Sequence, residues 1–509
     1  MTGIFAILKF RALENSLNRK LIKLSSKLGH RGIKDKTHVD NFPVELIVYH
    51  DDDDKNKDLY FLEDDLSKPF IAIDGKIESS GKDNVEIQRK NKKSRSNILG
   101  YILKKFKSKK TPLLEEVNGS FSGVMYDGRQ LIGFKDPVGA KPLYYCKNED
   151  FLIFSSEMKA LAPLQENVLP ISPGTFINST GSVDRFYSYP EFVSNYEMNS
   201  EYVRKLTFEL KSRVINAVKS NINENEKISG LLSGGIDSTI ITHIAKDIIP
   251  DYTVYTVGIE DSQDLYYAKK YATTHGLRHE ILEITFKDLL GILPEVIYAL
   301  ETYDAALIRS SMPMYLIAKK INAIDDAEVL LTGEGGDELF GGYEYLTEIQ
   351  TEKEVNHELI DLLKVEHKTG LQRVDRIPYH FSIEARAPLF ARSLVELSFK
   401  VPNELKICKR NDSTIKKWIL RKAFENDISD EYLWRKKQKF SDGAGSQFLI
   451  RNYAENVISD SEFEAEKNIA PQVTLRSKEE LYYWRIFDSK FNPTSLTIEN
   501  LGITSKFKI

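Results

Sequence analysis

The segment GLLSGGIDSTII, residues 230–241, links the end of an apolar strand to an amphipathic helix through a glycine-rich loop. Glycine lets the backbone approach an anion closely, and the unpaired N–H groups at the start of a helix attract negative charge. Ser233, Ser238 and Thr239 add hydroxyl donors that phosphate oxygens accept. Asp237 would repel a bare phosphate, but it can share a divalent cation with one. The loop therefore predicts a site for magnesium-chelated polyphosphate, with a turn that only caps the helix as the alternative.

A second glycine-rich segment, LTGEGGDELFGGY at residues 331–343, follows another short apolar strand. Five glycines around three carboxylates are unusual for a surface turn. Because ligands of open α/β sheets bind outside the carboxyl ends of the strands, the two loops can face one nucleotide. Asp337 is then a second carboxylate for the cation, and Glu338 either takes part or caps the next helix.

The segments around these loops alternate between strand-like and helix-like patterns, which predicts a mostly parallel, doubly wound sheet with helices on both faces. The predicted strands are 227–232, 252–259, 279–285 and 328–331, and the predicted helices between them are 238–248, 264–275 and 286–303. After about Glu358 the chain is predicted to be mainly helical.

The first part of the chain has a different sequence pattern. Short apolar stretches are separated by Gly, Asp, Asn or Pro, which predicts two packed β-sheets. These stretches are 44–49, 69–73, 121–126, 131–134 and 151–154. The fold class is thus α/β and α+β in two domains. We expect an antiparallel β-sandwich with flanking helices over 1–190 and the doubly wound domain with added helices over 201–509.

The composition limits the function classes. The 509 residues contain 71 Lys and Arg against 75 Asp and Glu, and the net charge of −4 argues against nucleic acid or a membrane surface as partner. The two cysteines, Cys146 and Cys408, are too few for a disulfide scaffold and fit a reducing cytoplasm. Neither a secretory signal nor an uncharged apolar run of about 18 residues is found, so no membrane span is expected. The sequence is compatible with a homodimer.

Two charge runs have two interpretations each. Four consecutive aspartates, residues 51–54, point in different directions, which favours a solvated loop over a metal site. Ten basic residues and no acid lie within residues 89–110, with Tyr101 and Phe106 as the interleaved aromatics. A solvated face is the simpler interpretation, and a patch for an anionic partner is the alternative.

The first loop lacks the lysine of a Walker A motif and resembles the pyrophosphate loop of ATP pyrophosphatases. With further stretches, the resemblance extends over nearly the whole chain to the glutamine-dependent asparagine synthetases of the B type. Those stretches are residues 255–259, 296–316 (VIYALETYDAALIRSSMPMYL), 374–389 (VDRIPYHFSIEARAPL), 434–445 (WRKKQKFSDGAG) and 477–487 (SKEELYYWRIF). The resemblance implies attack of a substrate carboxylate on the α phosphate of Mg-ATP, followed by displacement of AMP by ammonia.

The resemblance also implies site residues. Arg376 and Lys437 correspond to the family's catalytic cations, although either alone could be a surface charge. Glu334 corresponds to a substrate-binding residue, and Asp237 and Asp337 to metal ligands. Ala391 stands where many relatives carry aspartate, which leaves the substrate open. The implied ATP-binding residues are Leu232, Ser233, Gly234, Gly235, Asp237, Ser238, Thr239, Val257, Thr332 and Gly333.

The N-terminal part resembles the family's Ntn-hydrolase-like glutaminase domain, through residues 30–32, 118–121, 136–144 and 156–160. The family requires a cysteine after the initiator methionine, because a thiol is far more nucleophilic than an alcohol, and Thr2 occupies that position. A processed N-terminal threonine can also be a nucleophile, so Thr2 alone does not decide.

The glutamine pocket decides the prediction. The family's Asn-Gly-Glu is Asp74-Gly75-Lys76 in this chain. The arginine that would bind the glutamine carboxylate and a late aspartate contact are also missing from the stretches that should contain them. The sequence therefore predicts an inactive glutaminase domain.

Three functions follow as hypotheses. The first is an asparagine synthetase that makes β-aspartyl-AMP from aspartate and ATP and takes ammonia, with Mg²⁺ as cofactor. The second is a ligase similar to β-lactam synthetase that forms an amide from another carboxylate and an amine. The third is a non-catalytic protein that binds nucleotide.

Overall fold

The computed structural model describes residues 2–50, 58–62, 68–79, 95–109, 114–193, 196–258, 262–410, 413–435 and 446–504. The chain divides into two compact units. The first contains Met1–Ser188, Ala465–Arg476 and Trp484–Gly502, and the second contains Tyr189–Glu464, Ser477–Tyr483 and Ile503–Ile509. The division near residue 189 lies close to the boundary expected from the sequence. Two C-terminal segments group with the first unit, whereas the sequence assigned them to the second domain.

Two antiparallel sheets form most of the first unit. Along the described residues, their orders are β10-β8-β9-β1-β3-β2 and β12-β11-β7-β6-β5-β4. The strands are β1 (Thr2–Lys9), β2 (Asp35–Asn41), β3 (Val44–His50), β4 (Leu59–Phe61), β5 (Phe70–Ser79), β6 (Val117–Tyr126), β7 (Leu131–Lys135), β8 (Tyr144–Lys147), β9 (Phe151–Ser155), β10 (Leu169–Pro170), β11 (Thr175–Ile177) and β12 (Val183–Arg185).

The core of the first unit lies between these sheets. Alternate residues of a strand point to one face, so Ile4, Ala6 and Leu8 of β1 meet residues such as Val124 of β6. The other face of the second sheet packs on the helix Arg95–Lys109. This helix contributes Leu99, Ile102, Leu103 and Phe106, which recur at helical spacing. Lys104 and Lys107 lie on its exposed side, as expected of a solvated face, and the aspartate run 51–54 lies outside the described residues.

The helices and the small ribbon of the first unit complete it. They are the α-helices Asn15–Leu24, Arg95–Lys109 and Ser495–Glu499, the 3₁₀ helices Ser25–Arg31, Leu114–Glu116, Met158–Ala160 and Ala162–Leu164, and the strands Asn468–Ala470 and Val473–Thr474. The helices Asp460–Glu466 and Lys478–Phe491 each contribute residues to both units.

A parallel sheet forms the centre of the second unit, which confirms the predicted mixed α/β architecture with a parallel sheet. Its order is β15-β14-β13-β16-β17, and each neighbouring pair is parallel. The strands are β13 (Ile228–Leu231), β14 (Thr253–Gly258), β15 (Arg278–Glu283), β16 (Val329–Leu331) and β17 (Glu384–Arg386). From β13 the chain adds strands on one side and then returns to add β16 on the other. This reversal places a crevice at the carboxyl ends of β13 and β16.

Helices cover this sheet, and one face packs on Ala305–Ile324 and Gly370–Tyr379 through Ile317, Ile321 and Val374. The other α-helices of the unit are Ser200–Ser220, Ile236–Ala245, Gln263–Thr274, Phe286–Leu300, Gly336–Phe340, Glu352–Val365, Arg392–Ser398, Asn403–Lys406, Trp418–Ala423, Asp430–Leu433 and Ser446–Val457. The 3₁₀ helices are Glu344–Thr347, Glu366–Lys368 and Pro388–Phe390, and a hairpin joins Ile407–Arg410 to Ser413–Lys416. Among the helices that the structure describes, none is both long and apolar enough to cross a bilayer.

Candidate active site

A cavity of about 380 Å³ opens at the crevice between β13 and β16. Both glycine-rich loops line it, so the structure brings together the two segments that the sequence singled out. Its size lies within the range of small-molecule sites. Among the predicted residues, those that line it are Leu232, Ser233, Gly235, Asp237, Ser238, Val257, Thr332, Gly333, Glu334 and Asp337.

The two loops touch because glycines leave room for the contact. A Cβ atom on Gly333 would lie 2.6 Å from the backbone nitrogen of Ser238, and one on Gly336 would lie 2.5 Å from Cγ of Asp237. Real Cβ contacts are essentially never that short, so a side chain at Gly333 would push the loops apart and one at Gly336 would displace the Asp237 carboxyl group. The glycines of the second loop therefore set the position of the Asp237 carboxyl group.

The first loop is held by its own hydroxyls. Oγ of Ser233 and Oγ of Ser238 lie 2.9 Å apart, and Thr239 donates its hydroxyl to the Gly235 carbonyl at 2.8 Å. Gly234 has φ +70°, and a Cβ there would overlap the backbone of the helix Gln263–Thr274. Two of the predicted ATP-binding residues, Gly234 and Thr239, therefore stabilise the conformation of the loop and are not among the residues that line the cavity.

A buried lysine lies between the two predicted metal ligands. Nζ of Lys417 is 2.7 Å from Oδ1 of Asp337 and also pairs with Asp237. Its side chain is 2% exposed, and its backbone has φ +54°, in the left-handed region that non-glycine residues seldom adopt. The two carboxylates thus converge on one point that already holds a positive charge, and such oxygens are the donors that Mg²⁺ prefers. The residues present fit a divalent cation.

Further cations line the cavity, and the sequence reasoning missed them. Arg373 pairs with Glu334 at 2.5 Å. Burial would lower the pKa of the Arg373 guanidinium, but Glu334 and Glu366 raise it above its ordinary value. Arg435 donates to the Gly234 carbonyl at 2.6 Å. Burial lowers the pKa of Arg421, the remaining arginine of the lining. Arg435 lies in one of the family stretches but was not singled out.

Several predicted residues lie elsewhere. Arg376 is 1% exposed and does not line the cavity in the described part of the chain, since its guanidinium pairs with Glu301 at 3.2 Å and Asp375 at 2.9 Å. Ala391 is likewise absent from the described lining. Lys437 lies outside the described residues.

Glu338 does not cap its helix. The residue before the helix Gly336–Phe340 is Gly335, which offers no side chain for capping. The carboxylate of Glu338 instead accepts a hydrogen bond from the Tyr343 hydroxyl. Burial, with Glu338 nearby, raises the pKa of Tyr343 well above its ordinary value, so this tyrosine is a permanent donor.

Comparison with known proteins decides the family. A sequence profile for asparagine synthase matches residues 209–359 and 347–485, which together make up more than half of the chain. The chain belongs to the asparagine synthase family. A second profile, for a glutamine amidotransferase domain, matches residues 50–163.

Full-length relatives of this asparagine synthase family member are glutamine-hydrolyzing asparagine synthetases. It is 28% identical to asparagine synthetase 2 of Oryza sativa subsp. japonica, with 98% of this chain and 87% of the relative covered. It is also 28% identical to asparagine synthetase B of Escherichia coli (strain K12), with 96% and 91% covered. The predicted family and the predicted class of enzyme, a carbon–nitrogen ligase that forms AMP and pyrophosphate, are confirmed.

In this asparagine synthase family member, the first unit holds a network of buried charges around Asp74. Nη2 of Arg31 lies 2.7 Å from Asp74, and Nη1 lies 2.8 Å from Glu157, with all three side chains fully buried. Thr2 donates its hydroxyl to Asp58 at 2.5 Å. Thr2 and Asp74 are thus both engaged by charged or polar partners inside the unit.

Gly75 and Lys76 lie on β5, opposite Phe121 and Ser120 of β6. Gly75 has φ +98°, and a Cβ there would overlap the Ser120 carbonyl oxygen. Its conformation and the space around it therefore both require glycine.

Lys406 is a second buried lysine of the second unit. It is 1% exposed, and its Nζ lies 4.7 Å from the ring centre of Phe192. Burial lowers the pKa of Lys406 to about 7, and Glu352 opposes this only in part. The unfolded chain therefore binds this proton more tightly than the folded chain, so the stability contributed here rises with pH between about 7 and 10.5.

Replacing Lys406 with methionine should stabilise the protein most below pH 7, where the wild type pays the full cost of burying the charge. We expect a gain in unfolding free energy of roughly 2 to 4 kcal/mol at pH 6 and less than about half of that at pH 9. Denaturant titrations at both pH values measure this. Lys409→Met, on the exposed part of the same segment, is the control. An equal gain for Lys406→Met at both pH values would contradict the burial of a charge.

Proposed function

We propose that this chain makes asparagine from aspartate and ATP through β-aspartyl-AMP, with release of AMP and pyrophosphate. The observation that carries the proposal is the cavity where two glycine-rich loops, two converging carboxylates and several cations meet, in a member of the asparagine synthase family. The relatives named above share almost its full length.

The lining suggests how ATP lies in the cavity. Leu232, Val257 and Met314 are apolar residues of the lining and suit the adenine, and Thr332 and Gly333 line the same cavity. The N-terminus of the helix Ile236–Ala245 and the Ser233 and Ser238 hydroxyls face the phosphates. Asp237 and Asp337 would hold Mg²⁺, which neutralises phosphate charge when it is bound.

Charge grows on the α phosphate and pyrophosphate as the carboxylate attacks, so fixed cations lower this barrier. Lys417 and Arg435 stand at the phosphate end of the described lining. Glu334 and its partner Arg373 offer one negative and one positive group, which suits the amino and carboxylate groups of an amino-acid substrate. Arg376 and Lys437 remain proposed contacts of the phosphates, and Arg376 would first have to leave Glu301 and Asp375.

Ammonia is the proposed nitrogen source. The buried Arg31–Asp74 pair and the Thr2–Asp58 hydrogen bond occupy positions where the family binds and attacks glutamine. A carboxylate paired with arginine is a poor donor to a developing oxyanion, because it can only accept hydrogen bonds. This supports a first unit that does not hydrolyse glutamine.

The test is pyrophosphate release and asparagine formation by the purified chain with Mg-ATP and aspartate, comparing ammonium, glutamine and no nitrogen source. We expect ammonium to support asparagine formation at least about tenfold faster than glutamine. Thr2→Cys should leave glutamine ineffective, because Asp74 and Lys76 still disrupt the pocket.

Equal rates with the two nitrogen sources would refute the proposed use of ammonia. Pyrophosphate release that requires a carboxylic acid other than aspartate would instead favour the ligase similar to β-lactam synthetase, which Ala391 motivates. Binding of Mg-ATP with no pyrophosphate release under any condition would leave a non-catalytic nucleotide-binding protein.

A further inference from the structure

The lysine between the two predicted metal ligands has a role that the family motifs do not supply. Lys417 lies 180 residues from Asp237 along the chain, yet its ammonium group contacts the carboxylates of both Asp237 and Asp337. Lys416, next to it, pairs instead with Glu344 and is 18% exposed. Of these two neighbouring lysines, Lys416 is partly exposed and Lys417 is buried, and only Lys417 contacts both carboxylates.

The fold is adapted to hold Lys417 in this position. A Cβ on Gly342 would overlap both Cε of Lys417 and Oδ1 of Asp337, so the absence of a side chain there makes room for the pair. The left-handed backbone at Lys417 turns the chain into the helix Trp418–Ala423, and its carbonyl accepts the Arg421 N–H at 3.0 Å. A buried lysine held in an unfavourable backbone conformation over two partly buried carboxylates indicates a functional constraint.

Two partly buried carboxylates that converge on one point would repel each other without a cation between them. We propose that Lys417 is the resident counter-cation of the nucleotide-free site and that an incoming divalent cation must displace its ammonium group from Asp237 and Asp337. The inference rests on the proposed metal site. Lys417 then has two positions. Without metal, its ammonium group lies between the two carboxylates, and with metal bound it lies beside them, where its charge can contact phosphate oxygens.

Displacement has a measurable consequence, because the metal has to compete with a covalently attached cation. Without Lys417 the carboxylates are open to the metal, and affinity should rise even though the site has lost a residue. If only the net charge of the cavity mattered, removing the charge of Lys416, which also lines the cavity, would raise the metal affinity about equally. Direct competition acts through Lys417 alone.

The experiment measures Mn²⁺ binding to the full-length, nucleotide-free chain by the electron paramagnetic resonance signal of the free ion. Lys417→Met should bind Mn²⁺ at least about tenfold more tightly than the wild type, and Lys416→Met should differ from it by less than about threefold. Adding Asp237→Asn to Lys417→Met should remove the gain, which locates it at this pair. A change in Lys417→Met no larger than that in Lys416→Met would overturn the proposal.

Thermal unfolding covers the case in which Lys417→Met folds poorly. The variant should then regain the melting temperature of the wild type when Mn²⁺ is added, because the metal replaces the missing positive charge. Failure of Mn²⁺ to restore it would also overturn the proposal. Neither measurement uses ATP or aspartate, so a failure of the proposed reaction would show separately, as absent pyrophosphate release with Mn²⁺ competition intact.

Discussion

Replacing Gly336 with alanine should lower the rate of ATP-dependent pyrophosphate release at least about 100-fold, because small displacements of reacting groups have effects of this size. The added methyl group would collide with the Asp237 carboxyl group, whose Cγ lies 2.5 Å from the ideal Cβ position. Either Asp237 moves away from Asp337 or the two loops separate, and both changes disturb the phosphate end of the cavity. Steady-state pyrophosphate assays with saturating aspartate and ammonium measure the loss.

The matched control is Gly291→Ala. Gly291 lies inside the helix Phe286–Leu300, and a Cβ there meets nothing within 4 Å. The same chemical change should therefore leave the pyrophosphate rate unaltered and raise stability slightly, since alanine favours a helix over glycine. Full activity of Gly336→Ala would mean that the contact between the loops does not set the geometry of the site.

Replacing Arg31 with methionine should destabilise the first unit by about 3 to 5 kcal/mol, the range found when one partner of a buried ion pair is removed. Arg31 contacts Asp74 and Glu157, and all three side chains are fully buried. Glu157 would keep Lys159, which lies 2.6 Å away, and Asp74 would lose the contact with the Arg31 guanidinium. Denaturant unfolding, followed separately for the transition of each unit, measures the change.

Two further variants test the cause. Adding Asp74→Asn to Arg31→Met should recover part of the lost stability, because it removes the buried negative charge that Arg31 had faced. Arg485→Met is the control, since Arg485 pairs with Glu466 at the surface, with 36% and 47% of the side chains exposed, and should cost less than about 1 kcal/mol. A loss in Arg31→Met as small as in Arg485→Met would contradict the structural role of the buried pair.

The parallel sheet could be predicted from the sequence because strand-like segments alternate with helix-like ones. The predicted strand 252–259 corresponds to β14, Thr253–Gly258, and 279–285 corresponds to β15, Arg278–Glu283. β17 was missed because three residues with two charges, Glu384–Arg386, carry no strand pattern, and the pairing with β16 determines it. The helix Ala305–Ile324 was not predicted, and its interior Pro313, like Pro294 of the predicted helix 286–303, did not end it.

The loops of the candidate site could be predicted because glycines, hydroxyls and carboxylates in one short segment have few other uses. The cations could not. Lys417 belongs to a pair of adjacent lysines, a pattern typical of exposed surface, and its partners lie far away in sequence. Arg376 is the opposite case, because its motif singled it out but the structure directs its side chain away from the cavity. A motif identifies a residue but not the rotamer that it adopts among buried partners such as Glu301.

The buried Arg31–Asp74 pair also bears on how this chain can change over generations. Replacing Asp74 with asparagine removes a charged partner of Arg31, and hydrogen bonds to charged groups contribute about 1.5 to 3 kcal/mol each. That loss of stability comes with the first substitution, whereas reversing the proposed loss of glutamine hydrolysis would need several positions to change together. Most proteins stand only a few kcal/mol above their stability threshold, so each intermediate on such a path is selected against. The pair would therefore make the proposed loss of glutamine hydrolysis easier to acquire than to reverse.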